Sequence, residues 1–266
     1  MNQGNKFTAT LRGLVFNSVY VTSLVTHCSV GLILSPFLTS RQYYWYISRW
    51  VNFLSWSLRV FCGIDYKVSG LENIPGSPCV VVSNHQSSWE TYFLQRYFFP
   101  QSIVLKKELT LIPVFGWALN GLKPISIDRG KKQNALKQII YQGKERLNRN
   151  MWILIFPEGT RVPIGETRPH FAGGAMLAIK AGVPILPLAH NAGLYWPAHQ
   201  LQKNPGTINV VIGKPIDTTG KSPKDLTLEI QHWMEEAKAQ SHRRKIRPEA
   251  SVSRRRKIRP EASVSR

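Results

Sequence analysis

From residue 65 onward, short apolar runs rich in β-branched residues alternate with longer stretches of helical periodicity, and few folds accommodate that rhythm. The runs are Cys79-Val80-Val81-Val82, Ile103-Val104-Leu105, Pro124-Ile125-Ser126-Ile127, Ile153-Leu154-Ile155-Phe156, Ile185-Leu186-Pro187-Leu188 and Ile208-Asn209-Val210-Val211-Ile212. Helical stretches lie between several of them, near residues 88–98, 132–148 and 173–181. This order predicts an α/β fold: a mixed, largely parallel sheet covered by helices. A last helix is expected to start at Ser222-Pro223, a cap followed by a first-turn proline, and to turn Leu226, Ile230, Trp233 and Ala237 to the core.

The segment ahead of this domain has a different character. Residues 13–40 contain no Asp, Glu, Lys or Arg, a length sufficient to span a bilayer. Asn17, Ser18, Thr22, Ser23, Thr26, His27 and Ser29 nevertheless make it polar for an isolated span, so crossing the bilayer and entering one leaflet both stay open. Tyr43-Tyr44-Trp45-Tyr46, Trp50, Phe53, Trp56 and Phe61 follow, punctuated by Arg49 and Arg59. Rings interleaved with guanidinium groups suit a headgroup boundary; an ordinary amphipathic helix packed on the domain is the alternative.

The net charge is +20, from 35 basic and 15 acidic residues, which favours polyanionic partners: nucleic acid, an anionic membrane surface or phosphorylated substrates. Residues 243–254 read RRKIRPEASVSR, and residues 255–266 repeat them identically. This tail has no apolar period, is expected to be disordered or loosely bound to anions, and is given no catalytic weight. Against nucleic acid, the aromatic residues concentrate in the apolar N-terminus instead of interleaving with the tail's arginines. Cys28, Cys62 and Cys79 form no CxxC pair and have no metal-like spacing with histidine, so buried thiols and no metal are expected.

Two short segments carry possible chemistry. Asn84-His85-Gln86-Ser87-Ser88-Trp89-Glu90 follows the strand at 80–83, and α/β sheets place their sites at such carboxyl ends. Five residues along one continuous helix rotate by about 500°, so His85 and Glu90 meet only if His85 lies in a loop and Glu90 in the next helix's first turn. Ser87 then sits three residues before Glu90 as an N-cap. The same residues read equally as a capping box in which Glu90 does nothing else. As a pair, a carboxylate fixes the imidazole tautomer, and the other nitrogen deprotonates a substrate hydroxyl, with no serine or cysteine nucleophile.

In the second segment, Phe156-Pro157-Glu158-Gly159-Thr160-Arg161, Gly159 permits a tight turn, Thr160 offers a hydroxyl and Arg161 can grip phosphate bidentately. A surface turn with an exposed arginine is the bland alternative. Lys106-Lys107-Glu108-Leu109 and Asp128-Arg129 add basic groups that line an anion pocket or remain solvated, the latter being the default for Lys107. His190 follows Pro187-Leu188-Ala189 and is the best alternative base. There is no GxSxG, HExxH, P-loop or GxGxxG motif.

At these residues the chain resembles the 1-acylglycerol-3-phosphate (lysophosphatidate) acyltransferases, of the bacterial glycerolipid acyltransferase type. Four blocks match in order: residues 84–90, residues 106–116 with Asp128-Arg129, residues 156–161, and Val183-Pro184-Ile185-Leu186-Pro187. The family pairs its histidine with an aspartate five positions later; here Glu90 stands there. The resemblance implies His85 as base and Glu90 as its partner, with Glu158, Gly159, Thr160 and Arg161 in acceptor or phosphate binding. Arg129 and Lys106 are implied as further anion contacts. It also implies a membrane-associated N-terminal helical pair. The pattern of the chain divides it into that helical region over residues 1–64, an acyltransferase domain over 65–242, and the basic tail over 243–266. The expected reaction moves an acyl group from acyl-CoA or acyl carrier protein to the sn-2 hydroxyl of lysophosphatidate, giving phosphatidate. No bound cofactor is expected, the thioester being a co-substrate, and no nucleic acid partner. The expected location is the cytoplasmic membrane, with the catalytic domain on its cytoplasmic side. Another acceptor, glycerol 3-phosphate or a lyso-aminolipid, and a non-catalytic basic binding protein are the competing readings.

Overall fold

The computed structural model describes residues 3–128, 130 and 132–243. Seven strands form one sheet: β1 (Ile64–Ser69), β2 (Val80–Ser83), β3 (Gln101–Lys106), β4 (Ile125–Ile127), β5 (Trp152–Ile155), β6 (Ile185–His190) and β7 (Gly206–Ile212). Their spatial order is β1-β7-β6-β2-β5-β3-β4, and every ladder is parallel except β6–β7. The mixed, largely parallel sheet expected from the sequence is therefore present. β2 is central, and all four of its residues are buried.

Burial on both faces explains why the inner strands are apolar without alternation. Val81, Leu154, Leu186 and Ile208 face a layer containing Trp50, Leu54, Trp89 and Phe93. On the opposite face, Val80, Val82, Ile153 and Ile185 meet three helices: α5 (Lys132–Asn148), α6 (Gly173–Ala181) and α7 (Pro223–Arg243). The first two match the expected spans. In α7, Leu226, Ile230 and Ala237 are buried as expected, but Met234 takes the fully buried place expected of Trp233. The half-buried Trp233 lies against Gly213, where an added Cβ would sit 2.4 Å from the indole.

β1 was not anticipated. Its sequence, Ile-Asp-Tyr-Lys-Val-Ser, mixes charge with apolar residues because it is an edge strand, open on one side and only partly buried. The helix expected over 88–98 is shorter: α3 spans Trp89–Phe93 and gives way to a 3-10 turn at Leu94–Arg96. A further short helix, α4 (Phe115–Asn120), precedes β4.

The N-terminus forms the expected helical pair, α1 (Gln3–Leu34) and α2 (Ser40–Ser57). Thr39 starts α2 with a capping box: its side chain accepts from Gln42 N–H, and Gln42 Oε1 accepts from Thr39 N–H at 2.9 Å. Two of the residues that make α1 polar bind it to α2. Trp50 Nε1 donates to Ser23 Oγ at 3.1 Å, and the His27 ring stacks on Tyr46 at 4.1 Å. The pair also docks on the sheet domain: Phe16 is fully buried, edge-on to Trp196 at 5.1 Å, and the Tyr20 and Tyr92 hydroxyls share a 2.6 Å hydrogen bond. Over Thr8–Phe37, with mean hydropathy 1.4, the chain is long and apolar enough to cross a membrane. Ile33, Phe37, Trp45 and Trp56 remain exposed. The basic tail lies outside the described residues from position 244 onward.

Candidate active site

β2 and β5 are parallel neighbours, with Val82 opposite Ile155, so the loops leaving their carboxyl ends emerge side by side. This brings together the two segments singled out in the sequence. Val162 N–H donates to His85 O at 2.8 Å, and His85 N–H donates to Glu158 Oε1 at 3.3 Å. The His85 imidazole lies flat on Phe156, ring centroids 4.2 Å apart. Its side chain is 16% exposed, enough to reach a cavity and too little to wander.

Glu90 is fully buried in the first turn of α3. Its Oε1 receives three donors: His85 Nδ1 at 2.8 Å, Gln86 N–H at 2.8 Å and Ser87 N–H at 2.7 Å. Half of the expected capping box is present, since Glu90 reaches back to the Ser87 amide. The other half differs: Ser87 Oγ accepts from Trp89 N–H at 3.1 Å, and Ser88 is the N-cap, its side chain making no capping bond. Capping and the imidazole contact thus coexist on one oxygen. Burial pushes the Glu90 carboxyl up, but His190, His85 and the Ser87 amide more than offset it and hold the group below its ordinary range. An ionised carboxylate only accepts, so Nδ1 carries the hydrogen and Nε2 keeps a lone pair. Among the described residues Nε2 has no hydrogen-bond partner.

A cavity of about 770 Å³ opens beside this imidazole. His85, Ser88, Lys106, Gly159, Thr160 and Arg161 border its polar part, while Leu24, Val51, Ile103, Ala135, Ile139 and Met176 belong to a long apolar part. Arg161 is fixed by donating from Nη1 to Ser88 Oγ at 3.1 Å. Lys106 borders the same space, half exposed, with Nζ 3.1 Å from Glu108. Gly159 adopts φ +67°, which turns the loop back under Phe171, and Thr160 is exposed at the rim. Arg129 lies outside the described residues.

Glu158, expected in acceptor or phosphate binding, borders the same cavity. It is buried, and one carboxyl oxygen accepts from the His85 amide, so it also supports the histidine. Burial pushes this carboxyl up to about 7. His190 departs from expectation: it is fully buried with both ring nitrogens engaged, so it has no access to a substrate proton. Conversely, Arg168 borders the cavity and was missed, because it sits in an irregular Pro- and Gly-containing stretch with no periodic signal.

Known proteins resemble the chain across the region that holds this site. An acyltransferase family model matches residues 65–191. The 1-acyl-sn-glycerol-3-phosphate acyltransferase of Pseudomonas aeruginosa is 45% identical over 249 residues, covering 91% of this chain and 97% of that protein. The Saccharomyces cerevisiae protein of the same name is 29% identical, covering 76% of this chain and 68% of its own length. The crystal structure of the acyltransferase PlsC from Thermotoga maritima shares the fold, with a TM-score of 0.74 over 94% of this chain and all of that one, at 24% identity. The His85–Glu90 pair, the Arg161 loop and a near full-length relative coincide in one sheet: the chain belongs to the 1-acyl-sn-glycerol-3-phosphate acyltransferase family.

Proposed function

We propose that the protein transfers a fatty acyl group from a thioester to the sn-2 hydroxyl of 1-acylglycerol 3-phosphate, giving phosphatidate. The observation that carries this reading is the free Nε2 of His85, held by buried Glu90 and opening on a cavity shared with Arg161. The lysolipid phosphate docks on Arg161, with Lys106 and Arg168 adding positive charge. His85 Nε2 takes the hydroxyl proton, and the oxygen attacks the thioester carbonyl. The carbon–sulfur bond then breaks, and the departing thiolate recovers the proton from the imidazolium, whose charge Glu90 stabilises meanwhile. A positioned base of this kind supplies roughly 10²–10⁴ in rate. The apolar part of the cavity suits acyl chains. Acyl-CoA and acyl carrier protein both satisfy the chemistry as donors.

The exposed apolar residues of α1 and α2 support seating at a membrane surface. Arg41, Arg49 and Arg59 beside them support the cytoplasmic face, where basic flanks accumulate. The test is full-length protein in mixed micelles with lysophosphatidate and labelled acyl-CoA, beside glycerol 3-phosphate and a lyso-aminolipid as competing acceptors. His85→Ala abolishes turnover and spares lysolipid binding. A trapped acyl-enzyme formed from the natural donor would overturn the direct transfer.

A further inference from the structure

The peptide bond joining Asn84 to His85 is gripped on both edges. Its N–H goes to Glu158, as described, while its carbonyl, Asn84 O, accepts from His190 Nε2 at 2.8 Å. The Asn84 side chain closes a second ring with the His190 backbone: Nδ2 donates to His190 O at 3.0 Å, and His190 N–H donates to Oδ1 at 2.9 Å. Both residues are buried. They meet because β6 runs parallel beside β2, with Ser83 opposite Leu188, so the two strands end together.

The His190 tautomer follows from its partners. Ala192 N–H points at Nδ1 at 3.2 Å, so Nδ1 must offer a lone pair and the hydrogen resides on Nε2. A proton on Nδ1 would oppose the Ala192 amide, and burial also lowers the basicity of this imidazole. The charged and titratable groups that act on it are Glu90 from α3, His85 from the loop and Lys238 from α7. The same Nε2–H edge lies 3.9 Å from Glu90 Oε2, a buried oxygen with no hydrogen bond of its own. Glu90 therefore has an imidazole at each oxygen, His85 bonded to Oε1 and His190 facing Oε2.

We propose that His190 is a positioning residue for acyl transfer, holding the Asn84–His85 peptide in place and facing the back of Glu90 with a neutral N–H. This rests on the reading of His85 as the base. Without the N–H, Asn84 O is left unpaired and the His85 ring loses its fixed aim. Glu90, less stabilised from behind, then draws harder on the proton shared with His85, and the inactive imidazolium persists to higher pH. An aromatic ring that only filled space would do neither.

The test measures acyl transfer by the full chain over pH 5–9 for wild type, His190→Phe, His190→Gln and His85→Ala. For His190→Phe, kcat falls about 10²-fold through misplacement of the base. KM for lysophosphatidate stays within about twofold, and the acidic limb of the rate profile moves to higher pH. His190→Gln, which restores an N–H donor, recovers about tenfold of the loss. A folded His190→Phe protein with wild-type kcat and acidic limb overturns the proposal, as does a Gln variant no better than Phe. Nitrogen-15 shifts of the wild-type imidazoles test it without any variant: a neutral Nε2–H His190 through pH 5–8 supports it, and a charged ring overturns it. Retained turnover in His85→Ala overturns the base reading itself. An inactive His85→Ala beside an unaltered His190→Phe overturns only the role of His190.

Discussion

The imidazole of His85 rests on the ring of Phe156, with 15° between their planes. The segment that carries His85 thus leans on the loop that carries Arg161, and the two are packed together. Ring pairs of this kind are worth about 0.5–1.5 kcal/mol beyond their buried area. Phe156→Leu keeps an apolar side chain and loses the stack. Steady-state kinetics should show kcat lowered about tenfold with KM for the lysolipid nearly unchanged.

Glu90 separates charge from shape. Glu90→Gln still accepts from the backbone amides but cannot stabilise an imidazolium, and kcat should fall by roughly 10³–10⁴. Glu90→Asp keeps the charge and removes one methylene from a fully buried site, costing about 1 kcal/mol in thermal unfolding. Its activity should stay well above that of the Gln variant, in keeping with the aspartate that stands at this position in the resembling family. Equal losses in the two variants would show that the charge is irrelevant.

Arg161 is held by Ser88 at the polar end of the cavity. Arg161→Ala should raise KM for lysophosphatidate roughly 30-fold, the effect of removing one partner from a charged contact worth about 2 kcal/mol. Lysine restores charge without the planar fork and should recover only part of this. With monoacylglycerol, which lacks the phosphate, wild type and variants should converge.

Glu158 makes stability depend on pH in a defined direction. Its carboxyl is raised by burial to about 7, above its value in the unfolded chain, so the folded state holds the proton over a window in which the unfolded state has released it. Its contribution is fully present below the unfolded value and is lost as pH rises toward 7. Glu158→Gln keeps an acceptor for the His85 amide and carries no charge. In thermal melts the variant should gain about 1–3 kcal/mol over wild type at pH 8 and little at pH 5.

Ile33 and Phe37 lie at the tip between α1 and α2, 70% and 82% exposed. Phe37→Ser should weaken sedimentation with anionic vesicles roughly 30-fold, the loss of about 2 kcal/mol of apolar transfer. Melting temperature should not change, since the side chain packs on nothing in the protein.

The parts of the fold legible in the sequence are those where one requirement dominates. β2, β5 and β6 carry apolar runs without alternation because helices cover both faces, and α5 and α6 carry clear helical periods. β1 escaped notice because an edge strand tolerates charged residues, here Asp65 and the exposed Lys67. In the site, residue types and order pointed to His85, Glu90 and Arg161. Spacing alone, however, did not say whether Glu90 would cap a helix or hold an imidazole, and the structure has it do both. His190 was misjudged, because it looks like a reactive group in the sequence, whereas the registry of β6 beside β2 turns it inward, onto the backbone flanking His85.

The ladder between β1 and β7 pairs Ile64 with Gly206, and Phe16 of α1 packs edge-on against the distant Trp196. Both halves of each contact must leave the ribosome before either can form, so the leading helices emerge long before the surface that receives them. Throughout that interval the side chains of α1 that face the sheet domain, Phe16 and Tyr20 among them, lack their distant partners. The edge of the sheet therefore closes late, and α1 and α2 wait for the last third of the chain before their inner faces are covered.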